Sequence, residues 1–324
     1  MEFGDGDPYL FIYHAKDGNN IYYVFFKRLI NSLEFIENND YEKWYDIITP
    51  PYGYGGPLYE KTNEKTIEGF RKDFETYCQD ENIVTEFVRF HPLYKNAKYL
   101  DKCMDVFYDR ETIYIDLLKT EEEIFNNYHN NHKRNVRRGS NNGLEFRVLK
   151  RDEALLEVHT FYLLYKETMD KLGALSYSYF SESYIRNLLS DLDNNSVIGA
   201  VFFEGKMVAA AICLYESGCL HYHLGCSKQE FLHLGINIFL FHHLALWAKK
   251  LGFQKFHLGG GHVGRDSLFQ FKQRFNKEGV LKFYIGKKIH NESIYKSLLN
   301  QWERYYSQKV DGHYFPLYRK AYSN

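Results

Sequence analysis

Two periods of apolar residues follow each other between residues 219 and 275. Apolar and polar side chains first alternate over residues 218–225, which predicts a β-strand. Apolar residues then recur at helical spacing over residues 236–251, and Gly252 supplies the left-handed stop that commonly ends a helix. A second strand is predicted over residues 253–258. The stretch therefore predicts a β-α-β crossover, whose parallel strands end at one sheet edge, where ligands bind.

Three consecutive glycines, Gly259, Gly260 and Gly261, follow the second of these strands. A glycine has no Cβ, so another group approaches its backbone more closely than it approaches any other residue. We therefore expect Gly260 and Gly261 to contact a substrate at the carboxyl end of the strand.

The rest of the C-terminal half has an equally regular pattern. Turns at Glu204-Gly205 and Ser217-Gly218 predict an antiparallel meander of three strands. The predicted elements, in order, are a strand at 144–149, helices at 152–172 and 181–192, strands at 197–203, 206–215 and 218–225, the central helix, the strand ending at 258, a helix at 266–275 and a strand at 280–285.

The N-terminal third repeats the strand, helix, strand order. The pattern predicts a hairpin (9–13 and 21–26), a strand (44–48), a helix (64–80), a strand (84–90) and a second hairpin (104–107 and 112–117). A loop rich in proline, glycine and tyrosine occupies residues 50–57. Its composition is typical of a ligand rim and equally of a wide turn.

A basic cluster ends the helix predicted over residues 120–143. It comprises Lys133, Arg134, Arg137 and Arg138, within about one and a half turns. Positive side chains near a helix C-terminus favour the helix dipole, and they also bind phosphate. Both interpretations remain open, and we name Arg137 and Arg138 as candidate anion-binding residues.

Composition limits the class of protein. A chain of 324 residues with 44% hydrophobic and 26% charged residues predicts globular domains. The net charge of −1, from 41 basic and 42 acidic residues, argues against a general polyanion binder, and we expect no DNA partner, although a local patch could still contact a phosphate. The five cysteines show no CxxC spacing, which favours free thiols in a reducing compartment. No signal peptide or membrane span is predicted, so we expect a cytoplasmic protein.

The order β-α-α-β-β-β-α-β-α-β is that of the GNAT acyltransferase fold, and several segments carry a more specific resemblance. Residues 44–285 resemble the Fem-type (FemABX-like) peptidoglycan-bridge aminoacyltransferases and the related acetyltransferase-like proteins of the GNAT superfamily. The family-like segments are Gly56-Pro57, Val88-Arg89-Phe90-His91-Pro92, the basic helix end, Thr168-Met169-Asp170-Lys171-Leu172 and Asp266-Ser267-Leu268-Phe269-Gln270-Phe271-Lys272.

This resemblance implies an α/β (α+β) fold of tandem GNAT-like domains with mixed, splayed sheets. We expect a truncated N-terminal GNAT-like domain at residues 1–118, a connecting basic helix at 119–143 and a C-terminal GNAT domain at 144–324. In such a fold two strands part beside the long helix and hold the acyl donor in the gap.

The implied chemistry is attack by an amine on an activated ester or thioester. A donor placed where the tetrahedral oxyanion develops stabilises that transition state. In the Fem family a Phe-Lys pair has this role, and Phe271 and Lys272 match it. The Fem pattern places Asp before the proline of the arginine-containing strand, where this chain has His91. His91 is therefore a candidate base or substrate contact, with His221, His223 and His257 as further candidates for the base.

The acceptor is expected between the proline and glycine loop, the strand end at residues 89–91 and the glycine run. The candidate substrate-binding residues are Tyr54, Gly55, Gly56, Arg89, Tyr222, Gly260, Gly261, Arg137 and Arg138. Paired histidines raise a metal site as an alternative, but no matching Cys, Asp or Glu set accompanies them, and we predict no metal.

The turn before the central helix bears on which acyl donor the protein uses. Enzymes of this fold that use CoA cradle its pyrophosphate with a Gln/Arg-x-x-Gly-x-Gly/Ala turn. Only Gly235 fits here, because Leu232 and Asn237 occupy the flanking positions. This departure weakens acetyl-CoA as donor, and the resemblance to Fem enzymes implies aminoacyl-tRNA in its place. We expect no tightly bound cofactor.

The prediction is thus an N-acyltransferase, with aminoacyl transfer from aminoacyl-tRNA to a cell-wall precursor or other peptide favoured. One alternative is CoA-dependent N-acetylation of an amino sugar, a nucleotide-linked acceptor or a small metabolite. The other is a non-catalytic peptide- or glycan-binding module of the same fold.

Overall fold

The computed structural model describes residues 6–36, 42–50, 52–61 and 63–321. The chain divides into two compact units, Met1–Asp109 with Lys282–Asn324 (unit 1) and Arg110–Leu281 (unit 2). These limits differ from the boundaries expected at residues 118 and 143. The C-terminal segment returns to unit 1, which is a long-range event that local periodicity does not report.

The elements follow the predicted order closely. The strands are β1 (Asp7–His14), β2 (Asn20–Leu29), β3 (Tyr45–Thr49), β4 (Leu58–Tyr59), β5 (Ile83–Arg89), β6 (Asp105–Asp116), β7 (Glu145–Leu149), β8 (Ser196–Phe203), β9 (Lys206–Glu216), β10 (Cys219–Ser227), β11 (Lys255–Gly260) and β12 (Val280–Ile289). The α-helices are α1 (Glu64–Asp80), α2 (Glu121–Asn127), α3 (Asn130–Asn141), α4 (Asp152–Leu156), α5 (Val158–Leu172), α6 (Glu182–Asp191), α7 (Ile236–Lys250), α8 (Ser267–Gln273) and α9 (Glu292–Tyr306).

In unit 1 the strand order is β1-β2-β3-β5-β12, and β4 pairs with β2. β3 and β5 are parallel and are joined by α1, which confirms the predicted N-terminal β-α-β crossover. The helix buries Ile67, Phe70 and Phe74 against Tyr23 and Phe25 of β2. A second core cluster holds α9 to the unit through residues that include Leu298 and Trp302.

In unit 2 the strand order is β6-β11-β10-β9-β8-β7. β10 and β11 are parallel, whereas the other neighbours are antiparallel. α7 packs with Leu220 of β10 and with Phe256 and Leu258 of β11. Residues of α5 and α6 pack with a different set, which includes Leu224 and Cys226. On β9, Ala211 and Cys213 belong to the first set and Ala210 and Ile212 to the second, and because side chains alternate across a strand, the helices cover the two faces of this sheet.

Two predictions at the entrance to unit 2 were wrong. The hairpin expected over residues 104–117 is the single strand β6, because residues 112–116 pair with the distant β11 instead of folding back. The helix expected over 120–143 is interrupted at Tyr128, whose ψ of 144° is extended. Tyr128 is buried, and the next residue, His129, caps α3 by accepting a hydrogen bond from Asn131 N–H. No Gly or Pro marks either position.

The predicted elements end at residue 285, so α9 was not predicted from the sequence. Among the described helices, none combines the length and the apolar character that a bilayer-spanning segment requires.

Candidate functional site

β10 and β11 part at the edge of the sheet where both strands end. They pair from Cys219 and Lys255 to His221 and His257. Beyond that point β10 continues with β9 as far as Ser227, whereas β11 continues with β6. A gap therefore opens between two strands that began as hydrogen-bonded neighbours, beside α7 as the resemblance implied.

An irregularity in each strand accompanies the parting. The register of β10 against β9 shifts between Tyr222 and Leu224. The register of β11 against β6 shifts between His257 and Gly259. A bulge bends its strand and increases the local twist, so two bulges just past the last shared pair direct the strands apart.

Lys272 of α8 lies beside this gap. Its side chain is 5% exposed, and Nζ donates a hydrogen bond of 2.7 Å to the Gly260 carbonyl, at the end of β11. Nζ is also 5.4 Å from the centroid of the Tyr222 ring, on β10. The ammonium therefore contacts both diverging strands.

The surroundings of Lys272 are short of negative charge. Among the described residues no carboxylate forms an ion pair with its Nζ. Burial lowers the Lys272 pKa to about 8, and the more distant Asp266 carboxylate opposes that shift. A buried ammonium held by a neutral carbonyl is free to exchange that contact for a developing anion.

Asp266 fixes the start of α8. Its carboxylate accepts hydrogen bonds from Phe269 N–H at 2.8 Å, from His262 N–H at 2.7 Å and from Val263 N–H at 3.1 Å. An aspartate at the N-cap satisfies donors that the first helical turn leaves unpaired. The cap joins the loop after β11 to the helix that carries Lys272.

Other parts of this chain lie close to the glycine run, and its contact with a substrate stays a prediction. A Cβ on Gly260 would lie 2.6 Å from the Glu111 carbonyl, and a Cβ on Gly261 would lie 2.1 Å from Asp266 Oδ1. The missing side chains therefore make room for neighbouring parts of this chain. It is the Gly260 carbonyl, bound to Lys272, that faces the site.

Tyr222 and Phe271 differ in their surroundings. The Tyr222 hydroxyl lies over Gly225, where a Cβ would come within 2.2 Å of it. The Phe271 ring packs in the core, 5.6 Å from Phe275 and 5.9 Å from Phe241 between ring centroids. Phe271 thus anchors α8, while Tyr222 faces the ammonium.

Histidines lie on the other face of the sheet, at the last pair of residues before the two strands part. Leu220 and Phe256 face α7, so their neighbours His221 and His257 point to the face that α5 and α6 cover. The two imidazole centroids are 5.5 Å apart. His257 Nε2 is 2.9 Å from Thr112 Oγ1.

His223 follows at the bulge of β10. Its Nε2 is 3.2 Å from the hydroxyl of Tyr184, on α6. Burial lowers the pKa of both His221 and His223 to about 4, which makes them neutral hydrogen-bonding groups at pH 7.

The basic helix α3 has one buried and one exposed face. His132, Val136 and Gly139 are buried, and a Cβ on Gly139 would lie 2.6 Å from Phe239 of α7. The side chains of Arg134, Arg137 and Arg138 are exposed. Arg138 donates a hydrogen bond of 2.8 Å to the His233 carbonyl, in the turn before α7.

The turn before α7 is the place where related folds hold a pyrophosphate. Gly235 has a φ of +80° and a Cβ there would lie 2.8 Å from Cβ of Asn135, on α3. Asn237 donates to Ser227 Oγ at 3.2 Å. Side chains of α3 and β10 therefore occupy the immediate surroundings of this turn.

The remaining predicted residues form a cluster within unit 1. The Tyr54 ring lies 5.9 Å from His91 and 5.1 Å from Phe283. Arg89 stacks over Phe283 at 5.2 Å, and its Nε donates to the Gly53 carbonyl at 2.9 Å. The sequence-predicted residues of this loop and strand end are thus brought together.

Asn96 organises this cluster, and sequence reasoning missed it. Its side chain is buried, accepts from His91 N–H at 2.8 Å and donates to the carbonyls of Gly55 at 2.8 Å and Pro57 at 3.1 Å. Gly56, with a φ of +86°, completes the turn between those carbonyls. Pro51, in the same loop, lies outside the described residues. A single asparagine in a short 3-10 turn carries no sequence signal for this role.

Within the described part of the chain, no group of three or more His, Cys, Asp or Glu side chains is arranged to hold a metal ion. The cysteines Cys78, Cys103, Cys213, Cys219 and Cys226 are free thiols.

Comparison with known proteins supports the assignment of the fold. Residues 126–273 match the family model of the acetyltransferase (GNAT) domain. The structure is similar to the crystal structure of FemX, with a TM-score of 0.66, 14% sequence identity and coverage of 90% of each chain. The chain has a Fem-like GNAT fold.

Two further structures share the Fem-like fold. One is the C-terminal domain of a putative lysylphosphatidylglycerol synthetase from Agrobacterium fabrum, with a TM-score of 0.56, 14% identity and coverage of 90% of this chain and 85% of that chain. The other is L-PGS from Bacillus licheniformis, with a TM-score of 0.56, 16% identity and coverage of 90% and 88%. No curated protein matches the chain. The predicted fold class is confirmed, and the GNAT family model agrees with an acyltransferase.

Proposed function

We propose that this protein is an N-acyltransferase that transfers an aminoacyl group from aminoacyl-tRNA to the primary amine of a cell-wall precursor or other peptide. The observation that carries the proposal is the buried Lys272 ammonium, bound to the Gly260 carbonyl at 2.7 Å where β10 and β11 part. The carbonyl of an activated acyl group has a place in that gap.

The reaction needs little beyond this arrangement. The acceptor amine attacks the acyl carbonyl, and the carbonyl oxygen becomes an oxyanion. The Lys272 ammonium then donates to the oxyanion instead of to Gly260. When the tetrahedral intermediate collapses, the C–O bond to the ribose breaks and the amide C–N bond remains. The leaving ribose oxygen becomes a hydroxyl by taking the proton that the amine nitrogen loses. A preorganised donor of this kind contributes about 10²–10³-fold to turnover.

The amine must lose a proton during the attack. The imidazoles of His221, His223 and His257 lie beside the parting of β10 and β11, on the face of the sheet that α5 and α6 cover, opposite to α7. Neutral imidazole accepts hydrogen bonds from an amine and orients its lone pair. We therefore place the acceptor amine on the histidine side of the gap and the donor on the side of α7 and α8.

The choice of donor rests on the exposed face of α3. Arg134, Arg137 and Arg138 present a positive surface beside α7. Polyanions bind such surfaces through phosphate contacts. The resemblance to Fem aminoacyltransferases implies aminoacyl-tRNA. Of the two further structures that share the fold, one is named as a putative lysylphosphatidylglycerol synthetase and the other as L-PGS.

CoA-dependent N-acetylation is the second candidate, because the matched family model is one of acetyltransferases. Against it, Gly235 alone fits the pyrophosphate turn, and Asn135 packs against that glycine. A non-catalytic binding module would have no use for a buried ammonium held by a neutral carbonyl.

In the test, the full chain is incubated with an amine-bearing peptidoglycan precursor peptide as acceptor and with one labelled donor at a time, either acetyl-CoA or aminoacyl-tRNA. Transfer of the label to the peptide is measured. We expect transfer from aminoacyl-tRNA. Transfer from acetyl-CoA alone would overturn the choice of donor, and binding without turnover of either would overturn catalysis.

Binding of the donor is tested with the double substitution Arg137→Glu and Arg138→Glu. We expect weaker tRNA binding and a salt dependence whose log–log slope falls by about 0.7–0.9 for each phosphate that the variant no longer neutralises. Lys166→Glu with Lys171→Glu is the matched control, since these exposed lysines of α5 make the same change of charge on the opposite face of the sheet. Equal weakening in both variants would mean that only total charge matters, and indifference in both would assign the basic cluster to helix capping.

A further inference from the structure

The end of α8 is held by the beginning of α3. The last carbonyls of a helix have no partner within the helix. The Phe271 carbonyl accepts a hydrogen bond of 3.0 Å from His132 Nε2, and the Arg274 carbonyl accepts one of 2.8 Å from His129 N–H. Phe275 N–H, which would bond to the Phe271 carbonyl in a continuing α-helix, donates instead to the Lys272 carbonyl at 3.1 Å. His132 therefore supplies the hydrogen bond to the Phe271 carbonyl. Both donors come from the first turn of the basic helix.

His132 is buried as deeply as a core residue. It is 1% exposed, and its ring lies 4.4 Å from Phe275 and 5.2 Å from Phe271 between centroids. Nε2 carries the proton, because it donates to a carbonyl. Nδ1 is buried and has no hydrogen-bond partner among the described residues. Leaving a polar atom unpaired is unfavourable, so apolar packing alone does not explain an imidazole at this position.

The same helix carries the exposed guanidinium groups of Arg134, Arg137 and Arg138. His132 lies on its inner face, and its partner Phe271 is the residue before Lys272. A short chain of contacts therefore joins the outer surface of α3 to Lys272: the α3 backbone, the His132 imidazole, the Phe271 carbonyl and the next residue of α8.

We propose that His132 is a positioning residue that couples the anion-binding face of α3 to the ammonium of Lys272. An anion bound to the arginines holds α3 in place, and His132 holds the end of α8 against it. The ammonium is thereby kept at the Gly260 carbonyl, in the gap between β10 and β11. The coupling rests on the proposed function for its ligand, a polyanionic acyl donor.

The first experiment compares two variants of His132. His132→Leu replaces the imidazole with an apolar side chain of similar size and so removes the donor. In His132→Gln the amide nitrogen supplies a donor near the position of Nε2. We expect His132→Leu to lower kcat by about 10–100-fold, because a small displacement of a catalytic group has an effect of that size. The Kd for tRNA should change by less than about threefold, and His132→Gln should restore most of kcat.

The second experiment needs no turnover. The rate of Lys272 acylation by acetic anhydride is followed by mass spectrometry from about pH 6 to about pH 10, with and without uncharged tRNA. The charge of Asp266 raises the Lys272 pKa, and the Tyr222 ring faces the ammonium. We expect tRNA to shift the apparent Lys272 pKa by roughly half a unit or more in the native protein and in His132→Gln, but not in His132→Leu.

Each result decides the proposal. A loss of kcat in His132→Leu that Gln does not rescue, with the tRNA response of Lys272 unchanged, would show His132 to be a packing residue and overturn the coupling. Unchanged kcat in His132→Leu would do the same. If tRNA does not bind the native protein but His132→Leu still shifts the Lys272 pKa, positioning stands and the proposed donor is wrong.

Discussion

The two units differ in how they treat buried charge. In unit 1, Arg71 forms two hydrogen bonds of 2.9 Å to Glu86, and the same carboxylate accepts from the Tyr23 hydroxyl at 2.8 Å and lies 3.0 Å from His290 Nε2. Asp46 is likewise buried, with Arg28 at 2.6 Å and Arg319 as ion-pair partners. Each of these buried carboxylates is neutralised by a cation.

In unit 2 the corresponding buried charge is Lys272, and its partner is a neutral carbonyl. Desolvation lowers its pKa, whereas in unit 1 the Arg71 guanidinium holds the Glu86 pKa well below its ordinary value despite burial. A saturated ion-pair network has no capacity left for a ligand. An ammonium held by a neutral group attracts an anion that forms beside it, so the comparison supports the proposal that unit 2 carries the chemistry.

The largest effect is expected on the network of unit 1. Glu86→Gln leaves the Arg71 guanidinium buried beside a neutral amide and should lower the free energy of unfolding by about 3–5 kcal/mol. Urea unfolding of the full chain measures it. Glu64→Gln is the control on the same helix as Arg71, because Glu64 pairs with Lys102 at an exposed site and should have no measurable effect. A loss as small as that of the control would mean that the network does not stabilise unit 1.

Lys272→Met should lower the activity strongly without loss of stability, unlike Glu86→Gln. We expect kcat to fall by about 10²–10³-fold, because the donor to the oxyanion is removed. Stability should be unchanged or higher, because an apolar side chain replaces a buried ammonium whose partner is a neutral carbonyl. Steady-state kinetics and urea unfolding are measured on one preparation, with exposed Lys277→Met as control. A large loss of stability with unchanged kcat would make Lys272 a structural residue and remove the contrast between the units.

The smallest expected effect is a difference between the two units in how much stability each loses at acidic pH. Burial lowers the pKa of His132 and of His242 from the usual 6.5 to about 4. Between these values the unfolded chain binds protons that the folded unit 2 does not, so unit 2 loses stability as pH falls from about 6.5 to about 4. The loss is about 1–2 kcal/mol for each imidazole at pH 5.

Unit 1 should be spared over most of that range. The Glu86 pKa is lowered from its usual 4.5, so its contribution is complete above about pH 4.5 and is lost only as the pH falls further, through the lowered pKa. Hydrogen exchange of peptides from residues 110–281, corrected for the intrinsic rate and compared with peptides from 1–109, measures the difference. Equal acid sensitivity in both sets would contradict it.

Much of the fold was predictable from periodicity. The change from alternation to helical spacing around residue 236, and Gly252 at the helix end, set the limits of β10, α7 and β11 within a few residues. The Phe271-Lys272 pair was named from its resemblance to the Fem family, and its lysine lies at the parting of the strands. The break at Tyr128 was not predictable, because no stop residue marks it. The hairpin predicted in place of β6 had no Gly or Pro at its turn, and it is the pairing of residues 112–116 with the distant β11 that shows the strand to be continuous.

The sequence by itself determined most of the segments that are helices or strands and which of their faces are buried, because backbone period and side-chain polarity are local properties. Only the tertiary structure decided that β10 and β11 separate after His221 and His257, that Lys272 is buried against Gly260, and that His132 holds the end of its helix. Those interactions join residues far apart in the chain. They depend on which groups fold against each other, and no local pattern of side chains carries that information.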